Sequence, residues 1–191
     1  MLIDLLKKAR SYRRFDQAFP VNEELLRGFV DNIRFANSGV NHQPFKYRLV
    51  YKKEEVDTLF PLTKWAGALK NYGGPELHER PTGFIVICFD KDIASNIDFY
   101  MKDVGIVAEV IMLSAVEKDY GGCMINSFSR PECQKILGIA DNMEPMLLVA
   151  LGKPSEEIIL EEVESGVPVA YYRDENGVHH VPKRMLKDIL L

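Results

Sequence analysis

VGIVAEVIMLSAV, residues 104–116, is apolar at every position except Gly105, Glu109 and Ser114. It lies inside the longest helical pattern of the chain, from Ile97 to Tyr120, and a helix that is apolar on every side needs cover on every side. Thirteen residues that include a glutamate are too short and too polar to cross a membrane, which takes about 20. The stretch reads as a core helix. In a chain this small, its all-round burial points to a second subunit packed against the first, the alternative being a wholly internal helix. Glu109 is then a structural acid paired across that contact.

At 191 residues, with a hydrophobic fraction of 47% and a charged fraction of 27%, the chain has the length and composition of one ordinary domain. A globule of this size buries roughly 70% of the surface its unfolded chain exposes, enough to need no covalent staples. Lys+Arg 24 against Asp+Glu 28 leaves a net charge of -4 and a pI near 5.6, which argues against nucleic-acid binding. The opening MLIDLLKKAR has Asp4 within its apolar part and its cations after it, the reverse of a secretory signal, so a cytoplasmic location is expected. Cys88, Cys123 and Cys133 are odd in number and lack CxxC spacing. They read as reduced thiols, neither a disulfide framework nor a zinc site.

Working outward from the core helix, LIDLLKKAR reads as a short first helix and NEELLRGFVDNIRFANSG as a second, capped by Asn22 and ending near Asn37. FKYRLVYK, GFIVICFD and EPMLLVALGKP are strand-like, the second a nearly continuous apolar run as in a central strand. Residues 54–81, a helix followed by a stretch with Gly and Pro, look like a lid-like insertion within a single domain spanning 1–191. Asn176-Gly177 between Val- and Tyr-rich segments signals a hairpin over about 167–182, and PKRMLKDILL is expected to close the chain as a helix.

Two polar clusters remain. RSYRRF, residues 10–15, belongs to a run of five cations in the eight residues from Lys7 to Arg14. It follows a helix end, where the macrodipole repels anions, so a phosphate there has to be held by side chains: the forks of Arg10 and Arg13 and the hydroxyl of Ser11. ANSGVNHQPF, residues 36–45, gathers Asn37, Ser38, Asn41, His42 and Gln43, neutral donors and acceptors suited to a heterocyclic ring. Each cluster alone is also compatible with a solvated face or a polar turn. GxGxxG, Walker, HExxH and GxSxG motifs are absent, and the four histidines show no metal-like arrangement, so structural or surface roles are expected for them and no metal site.

Taken together, RSYRRF and ANSGVNHQPF resemble the nitroreductase-like FMN-dependent oxidoreductases, whose members open with an R-x-S-x-R-x-F-like element and continue with a P-S-x-x-N-x-Q-P-W-like one. Ser11, Arg13, Phe15, Ser38, Asn41, Gln43 and Pro44 are kept here; Ala9 replaces the first arginine, Asn37 a proline and Phe45 a tryptophan. The core helix, ILGIADNMEPMLLVALGKP and PKRMLKDIL are similar as well. The resemblance implies an α+β fold, a three-layer α/β/α sandwich around a central, mostly antiparallel sheet, with a long buried helix at the core of a homodimer. It implies FMN held noncovalently at that interface, with Arg10, Ser11 and Arg13 from one chain and Ser38, Asn41 and Gln43 from the other. Lys183 and Arg184 would return to the phosphate. Backbone near Asn126 and Ser127, after Gly121-Gly122, would face flavin N5, and Arg13 would stabilise negative charge on the reduced pyrimidine. NAD(P)H would deliver hydride and a small nitroaromatic or quinone-like acceptor would remove it by a ping-pong mechanism, with Trp65 as lid aromatic. A flavin-fragmenting or reductive-dehalogenating relative and a non-catalytic FMN-binding protein are the alternatives.

Overall fold

The structure is a computed structural model that describes residues 1–69 and 72–191. Strand β1 (Phe15–Asp16), β2 (Phe45–Val50), β3 (Gly83–Asp90), β4 (Gly121–Ile125) and β5 (Met143–Pro154) form one sheet in which every pairing is antiparallel. The long β5 is the hub: it pairs with β1, β3 and β4, and β2 adds to the far side of β3.

Every residue of β3 is buried, because the sheet is covered on both faces. The two-residue period of a strand sends Ile85, Ile87 and Phe89 into one core, with α2 (Glu23–Ile33) and α4 (Met101–Glu117), and Phe84, Val86 and Cys88 into the other, with α3 (Lys53–Leu59) and α5 (Arg130–Ile136). Helix, sheet and helix thus make the expected α/β/α sandwich. Among the described residues no helix is long and apolar enough to cross a membrane.

Helix α1 (Leu2–Lys8) packs beside α4 with no residue of its own buried. The Asn22 side chain caps α2 by accepting from the Leu25 N–H at 2.9 Å. The helix stops at Ile33, short of the expected Asn37, because Arg34, Phe35 and Ala36 donate to carbonyls three residues back, tightening the last turn before the chain extends at Ser38. Helix α4 begins at Met101 after a tight turn over Ile97–Tyr100, and within one chain its stripe Gly105, Ile106, Glu109, Val110 and Leu113 is only half covered or exposed.

The closing segment differs most from expectation. Pro182, Lys183 and Arg184 belong to β8 (His179–Arg184), which pairs in parallel with β6 (Ile158–Val163) and antiparallel with β7 (Tyr172–Arg173) in a second, three-stranded sheet. Only a single tight turn, Leu186–Asp188, stands where PKRMLKDILL was expected to be helical. Pro182 cannot donate within a helix, and the long-range partner β6 takes the segment instead. Residues 167–171 of the expected hairpin carry no strand structure; the paired part joins β7 to β8 through Asp174–Val178, with Gly177 at φ 79°.

Candidate functional site

Arg10 and Ser11 leave the end of α1 and run against the glycine end of β4: the Tyr12 N–H donates to Gly122 O at 2.9 Å, and Ser11 bridges Gly122. A Cβ on Gly121 would stand 2.5 Å from the Tyr12 ring, so glycine is required for this approach. Arg10 Nη2 donates to Leu6 O at 2.7 Å, capping the last turn of α1, while its Nε is buried without a partner among the described residues. Arg13 is 7% exposed. Its Nη1 donates to Ser11 O at 3.1 Å and approaches His179 Nε2 at 3.0 Å, and its guanidinium lies 4.7 Å over the Tyr171 ring. Arg13 Nε is likewise buried and unpartnered among the described residues. Arg14 Nε also lacks a hydrogen bond among the described residues, but it lies 3.4 Å from Glu79 Oε2. Buried polar atoms are nearly always satisfied, so the orphaned donors of Arg10 and Arg13, which have no carboxylate beside them, mark a place for an acceptor.

The second cluster is a strained turn. Val40, Asn41 and Gln43 have φ of 45°, 58° and 50°, the left-handed region, which is unusual for a β-branched residue. Such conformations cost about 1–3 kcal/mol each and persist only where the surroundings enforce them. Here the enforcer is Asp103 on the first turn of α4, whose buried carboxylate accepts from Ser38 Oγ at 2.9 Å and from the Gly39 N–H at 2.7 Å. Ser38 Oγ in turn accepts from the Gln43 N–H at 3.1 Å, Gln43 Nε2 donates to Asn41 Oδ1 at 3.1 Å, and His42 Nδ1 meets the Tyr100 hydroxyl. A Cβ on Gly39 would stand 2.8 Å from Phe99. Beneath the turn a cleft of about 670 Å³ opens between α2, β2 and α4, lined by Ser38, Gln43, Phe45, Lys46 and Val107. No hydrogen bond among the described residues joins this turn to Arg10, Ser11 or Arg13.

Asn126 and Ser127 follow β4 and are exposed; Asn126 Oδ1 accepts from Arg130 Nη2 at 2.9 Å, and Ser127 O accepts from the Lys64 N–H at 2.9 Å. Lys183 and Arg184 are exposed on β8, and among the described residues no hydrogen bond or ion pair links them to Arg10, Ser11 or Arg13. Trp65, expected as a lid aromatic, is 6% exposed and packs against Phe60, its Nε1 donating to Thr63 Oγ1 at 2.8 Å. It is a core side chain here, because α3 and the turn after it lie on the sheet instead of projecting from it. Arg14 is half-buried beside Glu79, Nε to Oε2 3.4 Å. The three cysteines are free and buried; burial pushes Cys88 up to about 12 and Cys133 to about 11, so neither offers a thiolate.

Several residues around the site were not singled out from the sequence: Asp103, Glu156, Tyr171, Arg173 and His179. The Glu156 carboxylate accepts from the Arg13 backbone N–H and pairs with Arg173 Nη2 at 2.6 Å, tying the second sheet to the first cluster. Asp103 had one visible signal, an acid opening an otherwise apolar helix. The others come from positions more than 140 residues from Arg13 and carry no local mark.

The adjacent histidines of β8 point to opposite sides and titrate in opposite senses. Burial, reinforced by the charges of Arg13, Arg173 and His180, lowers His179 to about 4 from 6.5. The hydrogen bond to Glu161, at 2.6 Å from Nδ1, together with Asp174, raises His180 against a desolvation that opposes it, with Tyr172 stacked on the ring at 4.7 Å. The contribution of neutral His179 is fully present above about 6.5 and is lost as pH falls toward 4, whereas that of charged His180 is fully present below about 6.5 and is lost as pH rises through its raised value. Hydrogen exchange of β6–β8 should therefore be slowest near pH 6.5 after correction for intrinsic rates. His179→Gln should abolish the acid-side loosening and His180→Gln the alkaline-side loosening; a flat profile in the unaltered protein would contradict these assignments.

The nitroreductase family model matches residues 6–153, and the chain belongs to that family, a class of oxidoreductases. YdgI of Bacillus subtilis strain 168, assigned by name to the NAD(P)H nitroreductases, is 22% identical over 186 residues, covering 81% of this chain and 89% of its own length. The Cr(VI) reductase of Pseudomonas sp. strain G-1 is 23% identical over 194 residues, covering 92% and 74%. The fold matches that of a nitroreductase family protein from Streptococcus pneumoniae TIGR4 with a TM-score of 0.70 at 19% identity, over 88% of this chain and 96% of that one. An FMN-dependent nitroreductase from Clostridium difficile R20291 matches with a TM-score of 0.64 at 24% identity, over 81% and 88%.

Proposed function

We propose that this chain is an FMN-dependent NAD(P)H oxidoreductase that works as a homodimer on a small nitroaromatic or quinone-like acceptor. The observation that carries the reading is the pair of buried, unpartnered guanidinium donors on Arg10, which would stand in for the family's phosphate arginine replaced here by Ala9, and on Arg13, which the family resemblance puts at the flavin pyrimidine. Donors of this kind fit an anionic, oxygen-rich group.

Arg10 and Ser11 would hold the phosphate, with Lys183 and Arg184 reaching it from β8. Arg13 would stand at the pyrimidine and meet the negative charge that gathers there on reduction. Ser38, Asn41 and Gln43 would hydrogen-bond the ring from the other protomer, which accounts for a turn strained into shape with no hydrogen bond to Arg13 in its own chain among the described residues. The glycines at the start of β4 would admit the backbone that leads to Asn126 and Ser127. Bound FMN would supply the two-electron chemistry, receiving hydride from NAD(P)H at N5 and giving it to the acceptor in a second half-reaction. With the redox step carried by the cofactor, the protein's own work is to bind, orient and exclude water, and no nucleophile is needed. The half-uncovered apolar stripe of α4, continuous with exposed Leu2, Ile3 and Leu6 on α1, supports the homodimer.

Heating the purified protein after incubation with excess FMN and removal of the unbound cofactor should release FMN into the supernatant, close to one per chain. A protein that retains no flavin would overturn the reading.

A further inference from the structure

We propose that His179 is a positioning residue that fixes the Arg13 guanidinium for the flavin while leaving its charge intact. The proposal rests on the FMN reading above and concerns a residue to which neither sequence nor family membership assigned a role at the site.

Strand β8 turns His179 inward, where it is 1% exposed. Arginine can only donate, so the 3.0 Å contact between Arg13 Nη1 and His179 Nε2 makes Nε2 the acceptor. The imidazole is then neutral, a tautomer dictated by its partner, with its proton on Nδ1, which is buried and has no hydrogen-bond partner among the described residues. Its low titration, to about 4, agrees with that geometry. The charged and titratable groups around it are Arg13, Arg173, His180 and Tyr171, whose ring lies 5.3 Å from the imidazole and 4.7 Å beneath the Arg13 guanidinium. Ser11 O takes the same Nη1, and Glu156 holds the Arg13 backbone. The side chain is thus fixed at one nitrogen by two acceptors and along one face by an aromatic ring.

Two consequences follow from the chemistry. An arginine loses rotamer freedom on being fixed, and here that loss is already met before any ligand arrives. An imidazole also accepts a hydrogen bond without adding charge. A carboxylate in its place would neutralise Arg13 and spend on a protein partner the charge that reduced flavin would otherwise feel. Removing the acceptor should therefore weaken the binding of reduced FMN more than that of oxidised FMN.

The experiment measures the midpoint potential of bound FMN in wild type, His179→Leu and His179→Gln, alongside thermal unfolding. Loss of one charge-assisted contact in the leucine variant should reduce affinity for the reduced form relative to the oxidised form about tenfold, a fall of about 30 mV in a two-electron potential. Glutamine, whose carbonyl can accept from Arg13, should restore most of it. Equal potentials in all three, or glutamine falling as far as leucine, would overturn the proposal and leave FMN binding standing. Wild type without FMN would overturn the underlying reading and this proposal with it. Histidine ¹⁵N shifts of the unaltered protein near pH 6 provide a test that needs no variant. They should show neutral, Nδ1-protonated His179, and an Nε2-protonated or charged ring would overturn the proposal.

Discussion

Arg13→Ala should weaken FMN binding by roughly 10- to 150-fold, the equivalent of about 1.5 to 3 kcal/mol for one charge-assisted hydrogen bond. The guanidinium is buried, held by Ser11 O and His179, and has an unpartnered Nε, so its removal takes away both the charge and a donor already in place. Arg13→Lys should fall between wild type and alanine, because an ammonium keeps the charge but loses the fork and the stacking on Tyr171. The readout is FMN titration by fluorescence quenching. Arg14 is a poor control, since it is half-buried against Glu79; Lys53, whose ion pair with Asp57 is at the surface, is a better one, and Lys53→Ala should leave FMN binding unchanged and change stability by no more than about 0.5 kcal/mol. Equal dissociation constants for wild type and Arg13→Ala would mean that Arg13 serves only to dock the second sheet.

The second large effect is expected on assembly. Ile106 is 39% exposed in the single chain, on the stripe of α4 that the described residues leave half covered or exposed. If that stripe is the heart of a two-fold interface, Ile106→Glu places a carboxylate at the contact in both protomers. An unpaired charge buried in this way costs about 3–5 kcal/mol, so the dimer should dissociate at least 100-fold more readily. Sedimentation at micromolar concentration should show wild type as a dimer and the variant shifted to monomer, with a loss of FMN if both chains build the site. A folded wild-type monomer of 21.8 kDa under the same conditions would exclude the interface.

How far the sequence could be read depended on whether a signal was local. The Asn22 cap, the apolar run of β3 and the largely apolar pattern of α4 each reflect forces acting within a few residues, and each element formed within the stretch its pattern marks, with α2 and α4 shorter than read. The two polar clusters were legible as clusters for the same reason. What holds them was not. Asp103 is 65 residues from Ser38, and Glu156 and His179 are 143 and 166 residues from Arg13, contacts that only the packed sheets bring about. PKRMLKDILL has helix-like spacing, but β6 supplies a parallel partner for its first residues, and tertiary pairing overrides propensity there. Trp65 illustrates the same limit: a lone aromatic in a Gly- and Pro-containing stretch suits a lid or a core equally well, and its packing on Phe60 decides for the core.

The most direct test of the central claim is to load the protein with FMN, remove free flavin and add NADH or NADPH in the absence of oxygen while recording the visible spectrum. An FMN-dependent NAD(P)H oxidoreductase should be a yellow protein whose flavin absorption bleaches on addition of the nicotinamide and recovers when a quinone or nitroaromatic acceptor follows. A colourless protein, or bound FMN that neither nicotinamide bleaches, would contradict it.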